Sequence, residues 1–146
     1  MYMNKTMIPK VLRWARQKSP WILHFNTGGC NGCDIEILSL LTPHYDVERF
    51  GILKESSPRH ADILICTGPV TQQVKPRLQR IFDQMPEPKW VLALGSCSCS
   101  GGIFSGAHNI LGGIDKVLPV DMYIAGCPCR PEAIIDGIIK LLEQVQ

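Results

Sequence analysis

Four of the seven cysteines occur in an order that limits how this chain can fold. Cys30 and Cys33 form a Cys-x-x-Cys pair, Cys97 follows after a long gap in Gly-Ser-Cys, and Cys127 stands in Gly-Cys-Pro. If these four thiols act together, the fold must bring three separate loops to one place. No other group of residues in the sequence has the spacing of a catalytic or metal-binding site, so the functional interpretation starts from these cysteines.

The composition predicts one compact domain that keeps its cysteines reduced. A chain of 146 residues can bury a single core and is too short for two full-sized domains. The formal charge of +2 does not indicate a nucleic-acid partner, and the apolar runs are too short to span a bilayer. Basic residues interrupt the N-terminus, which argues against a secretory signal and for the cytoplasm. Thiols there normally stay reduced, and an odd number of cysteines also argues against a closed disulfide set.

The first 20 residues are predicted to form a separate N-terminal segment. Apolar residues recur at helical spacing between residues 7 and 17, and basic residues occupy another face of the same helix. This amphipathic helix packs on its own domain in one interpretation and docks on a partner or membrane surface in the other. Residues 21–146 are then expected to form the single domain.

Strand and helix patterns alternate along that domain. Strands are predicted at residues 21–25, 46–53, 61–66, 89–94 and 120–125, and helices at residues 34–41, 76–85 and from 131 onward. In the first of these helices Ile35 and Leu38, together with Leu41, are expected to face inward. Residues 105–118 are predicted to be a long surface connection around a short helix.

This alternation predicts a doubly wound α/β fold with a mostly parallel sheet and helices on both faces. Parallel strands need a crossover connection, which is usually a helix that covers the sheet. Ligands in such folds bind beyond the carboxyl ends of the strands. The three loops that carry the four cysteines all follow predicted strand ends, so the fold and the cysteine pattern predict the same site.

Four thiolates suit either an iron-sulfur cluster or a zinc ion. Structural zinc sites commonly use two Cys-x-x-Cys pairs, whereas this chain has one pair and two cysteines contributed singly. Glycines beside the cysteines let the backbone approach a bulky cluster and donate N–H groups to its sulfides. The pattern therefore favours a cubane iron-sulfur cluster, and zinc or a purely structural thiol set are the alternatives.

The three remaining cysteines have other expected roles. Cys99 and Cys129 each stand two positions after a proposed ligand, and either could take its place. Cys66 ends an apolar strand, where a free cysteine usually acts as a small buried hydrophobe.

Four ordered segments resemble the small subunit of membrane-bound, energy-converting nickel-iron hydrogenases, which are relatives of the proximal-cluster subunit of respiratory complex I. The segments are NTGGCNGCDIE at residues 26–36, TGPVT at 67–71, GSC at 95–97 and GCPCRPE at 126–132. Complex I subunits usually have two adjacent cysteines at the first position, so the spaced Cys30 and Cys33 are similar to the hydrogenase form. Cys99 and Cys129 depart from the residues that the family often has there.

The resemblance implies a flavodoxin-like domain that holds one 4Fe-4S cluster. The family's cluster ligands carry over onto Cys30, Cys33, Cys97 and Cys127. The large subunits of the family bind nickel with two Cys-x-x-Cys pairs, and this sequence has one pair in all. The resemblance therefore implies a non-catalytic electron-transfer subunit of an oxidoreductase complex.

The resemblance also implies the partners. They are a nickel-iron hydrogenase large subunit, a ferredoxin-like two-cluster subunit and membrane-integral subunits that hold the chain peripherally at the cytoplasmic face of the cell membrane. Electrons would pass from the ferredoxin-like subunit to the nickel-iron site. The alternatives are a complex I-like module linked to quinone or sulfur and, as a weaker interpretation, a stand-alone redox or zinc-binding module.

Several charged residues near the motifs have an ordinary structural explanation. Asp34 and Glu36 follow Cys33 in the first helical turn, where the helix dipole favours carboxylates, although the motif also makes Glu36 a candidate for a proton or docking path. Arg130 is either a partner for negative charge or a solvated residue at a helix start. The histidines have no metal-ligand spacing and are assigned no role: His24, His44, His60 and His108.

Overall fold

The computed structural model describes residues 14–16 and 18–144, and this part of the chain contains seven strands. They are β1 (Trp21–Asn26), β2 (Leu53–Glu55), β3 (Ile63–Thr67), β4 (Val70–Thr71), β5 (Trp90–Leu94), β6 (Ile110–Gly112) and β7 (Met122–Ile124). Five of them form one sheet in the order β2-β1-β3-β5-β7, and every pairing in it is parallel. This is the flavodoxin-like strand order, in which the winding reverses between β1 and β3. The predicted α/β fold is confirmed.

Helices cover both faces of this sheet. They are α1 (Gly32–Ser39), α2 (Lys75–Gln84), α3 (Ser96–Ser100) and α4 (Pro131–Gln144), with short 3-10 helices at Val47–Phe50, Gly102–Phe104 and Ile114–Lys116. Side chains of α1 and α4 pack with one face of the sheet, and side chains of α2 pack with the other. The predicted apolar face of α4 is confirmed, since Ile134, Ile138 and Leu141 are buried.

The central strand β3 shows why the sheet has a core on each side. Successive side chains of a strand point to opposite faces. Ile63 and Ile65 accordingly join the core under α1 and α4, whereas Leu64 and Cys66 join the core under α2. Cys66 is fully buried, as its apolar strand predicted, and this burial raises the pKa of its thiol.

The inward face of α1 differs from the prediction. Ile35 is 59% exposed, Leu38 is 54% exposed and Leu41 is also exposed, whereas Ile37 and Leu40 are buried. Apolar residues occupy so many positions of this short segment that spacing alone fits more than one buried face. Packing against α4 selects the face that carries Ile37 and leaves an exposed apolar stripe on the opposite side.

Two other segments also differ from the prediction. The strand expected at residues 46–53 is instead the 3-10 helix Val47–Phe50 followed by the short strand β2. Residues 105–118 are more than a surface connection, because they include β6, which pairs antiparallel with β4, and they bury Ile114 and Leu118. Strands of two or three residues are too short to show the alternation by which a strand is predicted.

The predicted N-terminal helix lies mostly outside the described residues. Residues 14–16 and 18 are helical, and Arg16 forms an ion pair of 3.2 Å with Asp62. The same arginine donates a hydrogen bond of 3.1 Å to the carbonyl of Pro88. Across residues 14–16 and 18–144, no helix combines the length and the apolar character that crossing a bilayer requires.

Candidate metal centre

The three cysteine-bearing loops meet at the carboxyl edge of the parallel sheet. The loops after β1, β5 and β7 line one cleft, which contains about 410 Å³ of empty space including its open mouth. Its lining includes all four cysteines of the predicted set, namely Cys30, Cys33, Cys97 and Cys127. Cys30 and Cys127 are exposed, and Cys33 and Cys97 are partly buried.

The loop after β1 is shaped by the side chain of Asn26. Its Oδ1 atom accepts hydrogen bonds of 2.8 Å from the backbone N–H groups of Gly28 and Gly29. The helix α1 then begins at Gly32, two residues earlier than predicted, so Cys33 lies in its first turn. The tight turn therefore presents both cysteines of the pair toward the cleft.

In the loop after β5, Cys97 and the alternative ligand Cys99 point in different directions. Cys97 lines the cleft, whereas the Cys99 thiol points toward the carbonyl oxygens of Ala93 and Ile124, at 3.6 and 3.7 Å. The two cysteines lie on the short helix α3, where a separation of two residues places side chains on different faces. The geometry supports Cys97 as the member of this pair available to a ligand.

The loop after β7 separates Cys127 from Cys129 in the same way. Cys127 lines the cleft, whereas Cys129 is buried and its Sγ lies 3.2 Å from the carbonyl oxygen of Ile124. Contact with the Cys129 thiol lowers the pKa of the Cys33 thiol to about 6. The same contact raises the pKa of the Cys129 thiol. The contact with Cys129 therefore favours the thiolate of Cys33, the form that binds metals.

The cysteines of the cleft make it harder for one another to lose a proton. Burial raises the pKa of the Cys97 thiol, and negative charge on Cys127, Cys30 and Cys33 raises it further. Four thiolates in one cleft repel one another unless a cationic centre binds them. The donor set therefore fits a metal centre with soft thiolate ligands.

Zinc and an iron-sulfur cluster differ in how close together their thiolate ligands must lie. Within residues 14–16 and 18–144, no three His, Cys, Asp or Glu side chains are grouped closely enough to hold one metal ion. Zinc requires thiolates within about 4 Å of one another, because each Zn–S bond is about 2.3 Å. A cluster with several iron atoms accepts thiolates that lie farther apart, and both kinds of centre use soft thiolate donors like those that line the cleft.

Glycines let the backbone pass close to the cysteines. Gly95 has φ +92° and ψ 153°, and a Cβ atom there would lie 2.7 Å from the Sγ of Cys33. A Cβ atom on Gly102 would lie 3.1 Å from the Sγ of Cys97. The glycine next to each of these thiols therefore keeps space that any side chain would fill.

Asp34 lies in the first turn of α1, as the sequence predicts, and its side chain also has partners that the sequence pattern does not indicate. Its side chain is buried between strands and accepts hydrogen bonds from Thr67, His24 and Asn26. His24, to which the sequence pattern assigns no role, is thus a partner of this carboxylate. No local pattern indicates the contact, because Thr67 lies 33 residues away in the chain.

The other charged candidates lie near the cleft without lining it. Glu36 is partly buried, and its charge acts to raise the pKa of Cys33 against the stronger lowering by Cys129. Arg130 is exposed directly before α4. Their proposed roles stay predictions.

A flavodoxin-like sheet with a thiol-rich cleft at its carboxyl edge has the architecture of the α/β proteins whose ligands bind beyond the carboxyl ends of the strands. The chain belongs to the family of the 20 kDa subunit of NADH ubiquinone oxidoreductase, whose family model matches residues 30–141. The resemblance found in the sequence is confirmed at this level.

Relatives from two kinds of complex are similar to nearly the whole chain. A probable membrane-bound hydrogenase subunit, mbhJ of Pyrococcus furiosus, is 49% identical over 88% of this chain and 77% of its own length. A subunit of the NADH-quinone oxidoreductase of Geobacter metallireducens is 47% identical over 92% of this chain and 77% of its own length. Both are subunits of oxidoreductases, so the chain is a subunit of this kind.

Solved structures agree with the fold. A chain of the membrane-bound sulfane sulfur reductase, an archaeal respiratory membrane complex, has a TM-score of 0.81 and 47% identity, covering 92% of this chain and 75% of that one. A chain of an NAD+-reducing NiFe hydrogenase has a TM-score of 0.65 over 86% of this chain and 92% of that one. At 18% identity, this second likeness concerns the fold alone.

Proposed function

We propose that Cys30, Cys33, Cys97 and Cys127 hold one 4Fe-4S cluster. The observation that supports this proposal most directly is that these four cysteines, on three strand-end loops, line a single cleft. When bound, such a cluster supplies a one-electron carrier whose potential depends on charge, hydrogen bonds to sulfur and exposure. The contribution of the chain is to place the thiolates and to shape their surroundings.

The residues around the cleft perform that task in three ways. Contact with Cys129 lowers the pKa of the Cys33 thiol and so favours its thiolate. Asn26 fixes the turn that precedes Cys30, through its two backbone hydrogen bonds. Gly95 leaves space beside Cys33 that a side chain would occupy.

The proposed activity is electron transfer inside a larger complex. The chain would pass electrons between a ferredoxin-like two-cluster subunit and the nickel-iron site of a hydrogenase large subunit, where protons are reduced or hydrogen is oxidised. The similarity to a membrane-bound hydrogenase subunit supports this assignment. Membrane-integral subunits would hold the chain at the cytoplasmic face of the membrane. Residues 21–146 would form its single domain, preceded by the N-terminal helix within residues 1–20.

The surface beside the cleft supports docking of the large subunit. Ile35 and Leu38 form an exposed apolar stripe on α1, the helix that carries Cys33 in its first turn. Apolar side chains of this size gain free energy when a partner covers them. A large subunit that covers this stripe would contact the same helix that carries Cys33, which would bring its own redox site close to the cleft.

A second candidate function rests on the sulfane sulfur reductase. That complex contains a chain with 47% identity to this one, and a quinone oxidoreductase subunit is equally similar. The same site would then pass electrons to sulfur or quinone at the subunit interface, and no hydrogen would form. Two intact Cys-x-x-Cys pairs in the sequence of the neighbouring large subunit would support the hydrogenase, and their loss would support this alternative.

Metal and sulfide analysis tests the cluster itself. Protein purified without oxygen from an iron-replete host is expected to contain about four iron and four sulfide per chain. Stoichiometric zinc without sulfide would refute the cluster. Assays of the purified complex for hydrogen, quinone reduction and sulfane sulfur reduction then decide between the two functions.

A further inference from the structure

The carboxylate of Asp34 lies directly after Cys33 and has no part in the proposed ligand set. Its side chain is 10% exposed, although carboxylates rarely leave water without compensation. Thr67 donates a hydrogen bond of 2.5 Å to its Oδ1, and the Nε2 of His24 lies 2.9 Å from the same oxygen. Asn26 donates to its Oδ2. Three hydrogen bonds into one carboxyl group are typical of an ionised carboxylate.

These hydrogen bonds join three segments around the cleft. Asn26 ends β1 and, through its Oδ1 atom, also holds the turn that leads to Cys30. Thr67 ends β3, and its carbonyl accepts a hydrogen bond of 2.9 Å from the hydroxyl of Thr27. Asp34 therefore connects the start of α1 with the ends of two neighbouring strands.

The charge of this carboxylate is only weakly compensated. In the part of the chain that the structure describes, the basic side chain in contact with Asp34 is His24. Burial lowers the pKa of His24, against the opposing effect of Asp34, which disfavours a positive charge on this histidine. The Asp34 carboxyl group thus lies directly after the first cysteine pair, with hydrogen-bonding partners at both of its oxygens.

We propose that Asp34 is a positioning residue that fixes the start of α1 and places a negative charge beside the metal centre, which lowers its reduction potential. This inference rests on the proposed cluster site. Net charge and hydrogen bonding are among the properties that set the potential of an iron-sulfur centre. A nearby negative charge disfavours the addition of an electron, and the effect is large where the dielectric constant is low.

Two variants at this network are expected to shift the potential in opposite directions. Asp34→Asn removes the charge at almost constant size. The ratio of reduced to oxidised centre at a fixed solution potential should then rise by about tenfold, which corresponds to about 59 mV for one electron. Thr67→Val removes a hydrogen-bond donor and leaves the charge less stabilised, so the ratio should fall by about twofold or more.

The measurement is a redox titration of the wild-type and variant proteins, followed by electron paramagnetic resonance, with iron and sulfide analysis of each sample. Asp136→Asn is the matched control, because it removes an exposed carboxylate that is paired with Lys140 on α4. This control should leave both the potential and the cluster content unchanged. If the role of Asp34 is purely structural, Asp34→Asn should contain less cluster, and the cluster that remains should have the reduction potential of the wild type.

Each outcome decides the inference. Wild-type protein without iron and sulfide refutes the proposed cluster. If the wild type contains the cluster and the reduction potential of Asp34→Asn is equal to or lower than that of the wild type, only the role of Asp34 is overturned. If Asp34→Asn binds no cluster, the result for Thr67→Val decides. A reduction potential of Thr67→Val below that of the wild type supports the inference, and a potential equal to or above that of the wild type overturns the inference. Loss of the cluster from both variants would show a purely structural network and would also overturn the inference.

Discussion

Gly95→Ala is expected to damage both the fold and the cysteine site. The backbone of Gly95 has φ +92° and ψ 153°, a region that only glycine adopts readily and that costs about 1–3 kcal/mol for other residues. The new Cβ atom would also lie 2.7 Å from the Sγ of Cys33, well inside van der Waals contact. The N–H groups of Gly95 and Ser96 donate hydrogen bonds of 2.8 Å to β7 and the loop after it, so this backbone cannot easily move away.

The expected loss in the free energy of unfolding is about 3 kcal/mol, at the upper end of that range because steric overlap adds to backbone strain. Chemical denaturation of the metal-free protein measures this loss, and iron and sulfide analysis measures cluster content. Cluster content should fall below half of the wild-type value, because the side chain displaced by the new Cβ is that of Cys33.

Two other glycines provide matched controls. Gly106 has φ +80°, and a Cβ atom added there would meet nothing within 4 Å, so Gly106→Ala should cost about 1–2 kcal/mol and leave cluster content intact. A Cβ on Gly32 would lie 3.5 Å from the Sγ of Cys30, an ordinary contact, so Gly32→Ala should change stability by less than about 0.5 kcal/mol. Equal cluster content in all three variants would refute the argument that space beside Cys33 is required.

Three further outcomes are expected. Serine substitution at any of the four cysteines that line the cleft should lower iron and sulfide content, whereas Cys99→Ser should leave that content unchanged. Cluster loss in Cys99→Ser with normal content in Cys97→Ser would show that Cys99, and not Cys97, is the ligand. In folded metal-free protein at pH 8, Cys66 should alkylate about 100-fold more slowly than exposed Cys30, because burial raises the pKa of its thiol and blocks access. Mass spectrometry after timed labelling measures this ratio, and similar rates would contradict the burial argument. With reduced viologen as the electron donor, the complete complex should evolve hydrogen and the isolated chain should evolve none, as measured by gas chromatography. Hydrogen evolution by the isolated chain would contradict a non-catalytic role.

The sequence alone was sufficient to predict the α/β fold and the meeting of the four cysteines at one edge of the sheet. Alternation of apolar strands with amphipathic helices is a local pattern, and parallel strands joined by helices leave few other arrangements. The cysteines follow strand ends, and parallel strands bring their carboxyl ends to the same edge of the sheet. Cys30, Cys33, Cys97 and Cys127 are therefore expected at one cleft from their order in the chain, and the structure places them there.

Only the tertiary structure decided which side chains face the cleft and which support it. The buried face of α1 depends on α4, far along the chain, because the helix is apolar on several sides. The different directions of the Cys97 and Cys99 side chains depend on the orientation of α3 at the end of β5. Asp34 contacts His24 and Thr67 across the sheet, and sequence periodicity reports only neighbours within a few residues. Local patterns determine which elements form, whereas the direction of each side chain depends on distant contacts that exist only once those elements have packed together.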